Sequence, residues 1–460
     1  MSRSVRPRRA AAGVVALTAA VFLAACTPGS NTASDDGTAA PTDPDEIVTD
    51  VASMGEQTLV VWDQEVRGGQ KAQIERLNAA FEEQYPNITI ERVSQSNDDL
   101  QTTLRLALTG NDAPDVTQAN NARSQMGQFV GAEQIVPLDA YAEAYGWIER
   151  YPESVLQATS YSTDGVTFGE GSLYGLPQVG EVVGVYYSNS ELAELGLEVP
   201  QTWADFEAQL ATIRDAGQTP LLLGNLDQWP ATHYFGPIQG ALVDPEQIRT
   251  LGFGNEGASW TTPENVEAAT RIQQWAQSGY FNEGFNGADY DATWQSFTEG
   301  AGVYLIGGSW LGADIEAAMG EDAGFFAPPP VEAGQGPRTT GGIGIPFTIT
   351  SQAANPDLAA AYIDFITSEE AMAILAEEGN MPAVDAAEHM PDGGLQRDIF
   401  NAYSEVTENG ELLPYLDWAT PTMGTTLGQN LQALMAGETT PQAFTEALEA
   451  DYAEFVQSNG

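Results

Sequence analysis

The chain of 460 residues contains one cysteine, Cys26, one lysine, Lys71, and two histidines, His233 and His389. Each scarcity excludes a class of chemistry. A lone thiol closes no intrachain disulfide, so burial of apolar surface has to hold the fold together. No Gly-Lys-Ser/Thr sequence exists to cradle a phosphate, and a Schiff-base mechanism would have only Lys71, which lies in a polar amphipathic segment suited to a solvated role. The histidines show no His-x-x-x-His spacing, so catalytic zinc is not expected, and no other metal site or cofactor is assigned. Positive charge is scarce as a whole: 16 Lys and Arg face 65 Asp and Glu, a formal charge of −49. Nucleic acid, which needs a basic face, is therefore not an expected partner. Dense negative charge instead keeps an exposed protein soluble.

Long apolar runs are also rare, and the one that exists is at the front. Arg3, Arg6, Arg8 and Arg9 precede an apolar run from Ala10 to Ala25 that ends Leu23-Ala24-Ala25-Cys26. The run falls short of the roughly 20 residues that span a bilayer. The pattern reads as a lipoprotein signal peptide over residues 1–25, with Cys26 the lipidated first residue of the mature chain. Four arginines leave with it, so 12 basic side chains remain against 65 acidic ones, a formal charge of −53. Residues 26–56, with Ser, Thr, Pro, Gly and Asp prominent, are expected to form a disordered tether. The protein is then extracytoplasmic, lipid-anchored to the outer face of the cell membrane.

Beyond the tether, Leu59 to Trp62 predicts a buried strand. The segment from Gly69 to Gln84 predicts a helix with Ile74, Leu77 and Phe81 on one face, stopped by Pro86. Ile88 to Val93 is a second strand, Leu100, Leu104 and Leu108 mark a second helix capped by Gly110, and Pro114-Asp-Val116 opens a third strand. This alternation predicts a doubly wound α/β lobe. It resumes with a strand at Val182 to Tyr187, a helix capped by Thr202 and a strand at Leu221 to Leu223, and about 400 residues suffice for two such lobes. Val303 to Ile306 and Ile343 to Ile349 read as later strands. Asp357 to Ile366, Ser368 to Glu377 and Pro441 to Val456 read as helices, and the Gly-rich stretch 334–342 reads as an open connection. Trp203, Phe206, Trp275 and Phe297 fall at helical spacing and are expected in the core.

The order of these segments resembles the sugar-binding members of the extracellular solute-binding proteins of ABC importers, the family that includes maltose-binding protein. The resemblance is carried by Leu59-Val-Val-Trp-Asp63, Ala113-Pro-Asp-Val116, and Leu173-Tyr-Gly-Leu-Pro177 running into Val183-Gly-Val-Tyr-Tyr-Ser-Asn189. Val199-Pro-Gln-Thr-Trp203, Phe297-Thr-Glu-Gly300, Gly307-Gly-Ser-Trp310, Gly341-Gly-Ile-Gly-Ile345 and Asn380-Met-Pro-Ala383 continue it. It implies a type II periplasmic-binding-protein-like fold over residues 57–460, two α/β lobes joined by crossing strands. Lobe 1 is placed at about 57–178 and 305–365, and lobe 2 at about 179–304 and 366–460. A carbohydrate ligand lies between the lobes, closure traps it, and the loaded monomer docks on a membrane permease served by a separate ATPase.

A sugar site needs aromatic plates for C–H faces and planar amides or carboxylates for adjacent hydroxyls, borne on loops at the carboxyl ends of strands. That selects Asp63, Gln64 and Glu65 after the first strand, and Gln118, Asn120 and Asn121 after the third. In the second lobe it selects Asn225, Asp227, Gln228 and Trp229, with Trp310 the best stacking plate because the two glycines before it would let a ligand approach the backbone. Glu181 at the lobe crossing matches a position where the family often places a ligand-binding acid. Gly342, Asp417 and Trp418 rest on the family pattern alone. Asp63 and Glu65 could equally cap the following helix, Glu181 could serve as a hinge hydrogen-bonder, and His233 reads as packing. No catalytic residue is assigned. The rival readings are a same-fold receptor for a cationic solute such as a polyamine, which the acids at 63, 65, 181 and 227 would suit, and a secreted glycoside hydrolase. The latter lacks a barrel's eightfold rhythm, and Gly307-Gly-Ser-Trp-Leu311 misses the Gly-x-Ser-x-Gly nucleophile elbow by one position.

Overall fold

A computed structural model describes Pro41 and residues 43–459; the expected signal peptide and Cys26 lie outside the described residues. The first sheet is built from β1 (Gln57–Asp63), β2 (Ile88–Ser94) and β3 (Val116–Gln118). Between them run helices α1 (Gly68–Gln84) and α2 (Asn97–Thr109). β1 pairs in parallel with both β2 and β3, as βαβ crossovers require. The expected helix faces point inward: Ile74, Leu77 and Phe81 of α1 and Leu100, Leu104 and Leu108 of α2 are buried. Ser96 caps α2 by accepting from Asp99 N–H, and Gly110 ends it. A small ladder of β4 (Ser160–Tyr161) and β5 (Ser172–Leu173) closes this part of the chain.

The second sheet is organised by its longest strand, β6 (Gly180–Ser188), which leads out of the first lobe. It receives β7 (Leu221–Leu222), β8 (Tyr304–Gly308), β9 (Ala323–Phe326), β10 (Arg338–Ile343) and later β12 (Glu411–Leu413), in the order β12-β10-β6-β8-β7 with β9 also on β6. The chain returns to the first sheet as β11 (Phe347–Ile349), antiparallel to β3.

Three boundaries differ from expectation. The tether was expected to run to residue 56, yet Pro44–Glu46 and Val51–Met54 form 3-10 turns, and Ile47 and Val51 enter the first lobe's core. Two apolar residues in a polar stretch suffice to dock it. The return to lobe 1 falls at residues 344–346, not near 305: β8, β9 and β10 all belong to the second sheet, and the apolar run Ile343 to Ile349 is split between β10 and β11. The Gly-rich stretch is accordingly half strand, because Gly341 lies so close to β6 that a Cβ would meet Glu181 O at 2.5 Å. Finally, Pro356–Ile366 and Glu369–Glu377 both pack into the first lobe, through Ile363, Met372 and Leu375, so lobe 2 resumes after about residue 384 and not at 366.

The crossings lie side by side. Leu176 exchanges backbone hydrogen bonds with Phe347, Gly344 N–H donates to Val179 O, Gly180 N–H donates to Met381 O, and Ala383 N–H donates to Gln178 O. Three strands of chain therefore form the hinge beneath the cleft. Trp203, Phe206, Trp275 and Phe297 are core residues, as their spacing predicts.

Candidate functional site

The loop after β1 starts with a buried ion pair. Arg92 on β2 donates from Nε to Asp63 Oδ2 at 2.6 Å and from Nη2 to Asp63 Oδ1 at 2.7 Å, and the same Nη2 reaches Glu65 O at 2.7 Å. Glu65 N–H donates to Asp63 Oδ1 at 3.0 Å. Asp63, wholly buried, is thus the anchor that shapes the loop, and its carboxylate is already committed. Gln118, at the end of β3, is fixed from both sides: its Oε1 accepts from Gln64 N–H at 2.8 Å, and its Nε2 donates to Glu65 Oε1 at 2.6 Å and to Ile345 O at 3.2 Å. The outcome is a Glu65 carboxylate 3% exposed as a residue, with Oε1 satisfied and Oε2 without a hydrogen-bond partner in the protein.

Glu181 faces it from the hinge. Its neighbour across the β6–β10 ladder is Gly342, at φ +140°, and Gly344 passes so near that a Cβ there would sit 3.0 Å from Glu181 Oε1. Tyr415 donates to Glu181 Oε2 at 3.3 Å. Burial, and then the charge of Glu65, raises the Glu181 carboxyl to about 8; burial raises Glu65 to about 7.

The opposing wall belongs to the second lobe and is aromatic. Trp229 packs on Tyr290 with ring centres 4.6 Å apart, His233 lies 5.3 Å from both Trp229 and Trp310 and 5.8 Å from Tyr415. Trp310 donates its indole N–H to Tyr290 Oη at 2.9 Å. Burial holds His233 down to about 3, so it is a neutral ring in this wall. Gly308 does not open the backbone to a ligand, as the sequence suggested: the Trp310 ring itself fills that space, 1.9 Å from where a Cβ would stand.

The lobes meet around this chamber. Arg67 spans the cleft to Asp291, Gly68 N–H at the start of α1 donates to Asp314 Oδ1 at 3.1 Å, and Gly69 lies where a Cβ would strike Ala313 at 2.5 Å. On the other side Arg123 donates to Trp418 O at 3.2 Å and Ala419 O at 3.1 Å, while Phe168 packs on Trp418 and Phe253. Asp98 faces Trp229 and Asp227 across the rim.

Of the residues singled out from sequence, Glu65 and Gln118 are hydrogen-bonded to each other, Glu181 lies within the field of Glu65, Trp229 and Trp310 flank His233, and Asp227 is exposed. Asp63 and Gln64 orient the first loop. Asn121 Nδ2 donates to Ala158 O at 2.7 Å, Asn120 Oδ1 accepts from Ala122 N–H at 2.9 Å, and Asn225 ties Ala231 N–H to Asn286, so these three amides serve their own loops. Gln228, at φ +68°, bonds Gln432. Trp418 is buried against Phe168 and Tyr415 beside Gly342, and Asp417, half-buried, is raised to about 6 by burial. Tyr290, Tyr415, Arg67 and Asp291 were not selected from the sequence. Among the described residues no group of three His, Cys, Asp or Glu side chains could hold a metal ion. A cavity of about 600 Å³ elsewhere on the second lobe, among Pro200, Phe325, Gln335, Asp398 and Asn409, includes none of the chamber's residues.

Two α/β lobes, a three-stranded hinge and a polar-and-aromatic chamber between them define a two-lobed solute-binding protein. The chain belongs to the bacterial extracellular solute-binding protein family, whose pattern it matches over residues 67–373. It is similar to the multiple sugar-binding protein of Streptococcus mutans, 22% identical over 65% of this chain and 69% of that one. It is also similar to the melibiose/raffinose/stachyose-binding protein MelE of Bacillus subtilis, 21% identical over 87% and 90% of the two chains. Among solved structures, a chitin oligosaccharide binding protein superposes with TM-score 0.74 at 21% identity, covering 87% of this chain and 99% of that one. RafE in complex with raffinose superposes with TM-score 0.66 at 20% identity, covering 87% and 100%.

Proposed function

We propose that this protein is the receptor of a carbohydrate ABC importer, capturing a sugar or oligosaccharide between its lobes and handing it unchanged to a permease. The observation that carries this reading is the chamber itself. Glu65, fixed by Gln118, and Glu181, fixed by Tyr415, stand near the ring cluster of Trp229, Tyr290 and Trp310, the combination of polar groups and rings that suits a ligand with hydroxyl edges and C–H faces. A sugar touching both walls gains contacts only when the lobes are closed, and so favours closure. Relatives named for sugars, from Streptococcus mutans and Bacillus subtilis, support the class.

The rest of the assembly follows from the sequence. Cys26 carries the lipid that holds the monomer at the outer face of the cell membrane. Transport falls to separate permease and ATPase subunits; no helix among the described residues is long and apolar enough to cross a membrane. The test is a thermal-shift screen of the full chain against mono- and oligosaccharides, with spermidine and amino acids alongside, because a ligand of the native state raises the melting temperature. A sugar-specific rise, with the sugar recovered intact after prolonged incubation, is the expected result. A rise with spermidine alone overturns the carbohydrate assignment, and a cleaved sugar overturns the receptor.

A further inference from the structure

Glu181 lies within the field of Glu65, and neither carboxyl is held in an ion pair, although the Arg67 guanidinium acts on both from a distance. Glu65 has an unpartnered Oε2 within a residue only 3% exposed, and Glu181 accepts a single hydrogen bond, from Tyr415. The guanidiniums nearby are committed elsewhere: Arg92 to Asp63, and Arg67 from both Nε and Nη2 to Asp291 Oδ1 at 3.1 Å. A neutral sugar meets these carboxyls in the protonated form that burial favours, whereas a protonated amine pairs with the ionised form in a site that closure removes from water.

We infer that Glu65 and Glu181 form a cation subsite within the cleft, and that the preferred ligand is a sugar bearing a protonated amine. This rests on the carbohydrate reading and narrows it. The second observation is the aromatic cluster of Trp229, Tyr290 and Tyr415 around His233, where a cation already sits beside a ring: the Arg67 guanidinium lies 5.6 Å from the centre of Tyr290. The third is the rim. Asp98, Asp227, Asp289 and Asp291 stand at its edge with Arg67 as the one basic group among them, a field that draws cations inward. His233 is neutral, and the Asp63–Arg92 pair is balanced. Burial, and for Glu181 also the charge of Glu65, hold both carboxyls near or above neutrality in the free protein, so an arriving ammonium displaces protons from them.

The experiment is isothermal titration of the full chain at pH 7, in phosphate and in Tris, with matched pairs of probes. The pairs are 6-amino-6-deoxymaltose against maltose and a glucosamine trisaccharide against its fully N-acetylated form, with spermidine as the acyclic cation. The expected result is that the amine-bearing member of at least one pair binds at least tenfold tighter and gives heat that differs between buffers, the mark of proton release. Glu181→Gln and, separately, Glu65→Gln, each checked for an unchanged melting transition, abolish that preference and the buffer difference. Neutral sugars binding as tightly as their amines, without proton release, overturn the cation subsite and leave the carbohydrate receptor standing. Spermidine binding while every sugar fails overturns both.

Discussion

Arg67 of the first lobe donates two hydrogen bonds to Asp291 of the second while its guanidinium lies 5.6 Å from the centre of the Tyr290 ring, so one side chain ties the lobes together over the chamber wall. Asp291 is itself positioned by the Trp294 indole N–H at 2.8 Å. Since the Asp291 side chain is 46% exposed, solvent screens the pair and its worth is on the order of 0.5–1 kcal/mol. Asp291→Ala is therefore expected to shift the ligand-free protein toward an open form and to weaken ligand binding by less than tenfold. Small-angle scattering reads this as a larger radius of gyration without ligand, and an unchanged radius would show that Arg123 and the Gly68–Asp314 contact hold closure without it.

Trp310→Ala is expected to lower ligand affinity by about 1–3 kcal/mol, the scale of a lost aromatic plate. Gly308→Ala tests the same plate without touching it, because the added methyl occupies the space of the indole. Titration of both variants should give losses of similar size; full affinity in a folded Gly308→Ala would mean that the Trp310 ring takes no part in binding.

Asp63→Asn removes the charge that Arg92 needs. With only 13% of the Arg92 side chain exposed, the stranded guanidinium is expected to destabilise the protein by about 3 kcal/mol or more. Denaturant unfolding measures this, and a normal midpoint would show that Glu75, 3.6 Å from Arg92, compensates for it.

The raised carboxyls set a pH dependence for the ligand-free protein. The folded state holds protons on Glu65 and Glu181 that the unfolded chain gives up near 4.5, so stability declines as pH rises toward about 7 and about 8. His233 acts in the opposite sense but only below its ordinary 6.5, since its folded value is lowered. The decline thus begins above about 4.5, is half offset by His233 up to 6.5, and runs unopposed from 6.5 to 8, where about 2 kcal/mol is lost. Melting curves across that range should fall for the native chain and flatten for the Glu65→Gln, Glu181→Gln double variant.

Removing residues 43–56 should lower the melting temperature, because Ile47 and Val51 leave the first lobe's core and burying each contributes about 1.5–3 kcal/mol. The stretch also bonds the lobe directly, Val48 N–H donating to Asp357 Oδ2 at 2.9 Å and Asn87 Nδ2 to Val51 O at 3.0 Å. Calorimetry of the shortened chain gives the answer.

What could be read from the residue order alone is local or periodic. The alternating strands and helices of the first lobe, the inward faces of α1 and α2 and the buried Trp203 and Trp275 all follow from apolar spacing and end signals, which depend only on neighbours in the chain. Loops after strand ends also pointed to Glu65, Gln118, Trp229 and Trp310. Which sheet a short apolar run joins does not depend on neighbours: Tyr304–Gly308 is buried on both faces and would suit either lobe, and only its pairing with β6 placed it in the second. The same holds for side-chain commitments. Asp63 and Glu65 stand two residues apart with the same charge. Arg92, distant in sequence, neutralises the first, and the hinge that presents Glu181 leaves the second unpaired; Tyr290 and Tyr415 enter the chamber wall only because helix and loop from remote parts of the second lobe pack beside Trp229 and His233. Chemistry that needs two groups in contact is decided by the contact, and contacts between residues far apart in the chain arise only in the folded structure.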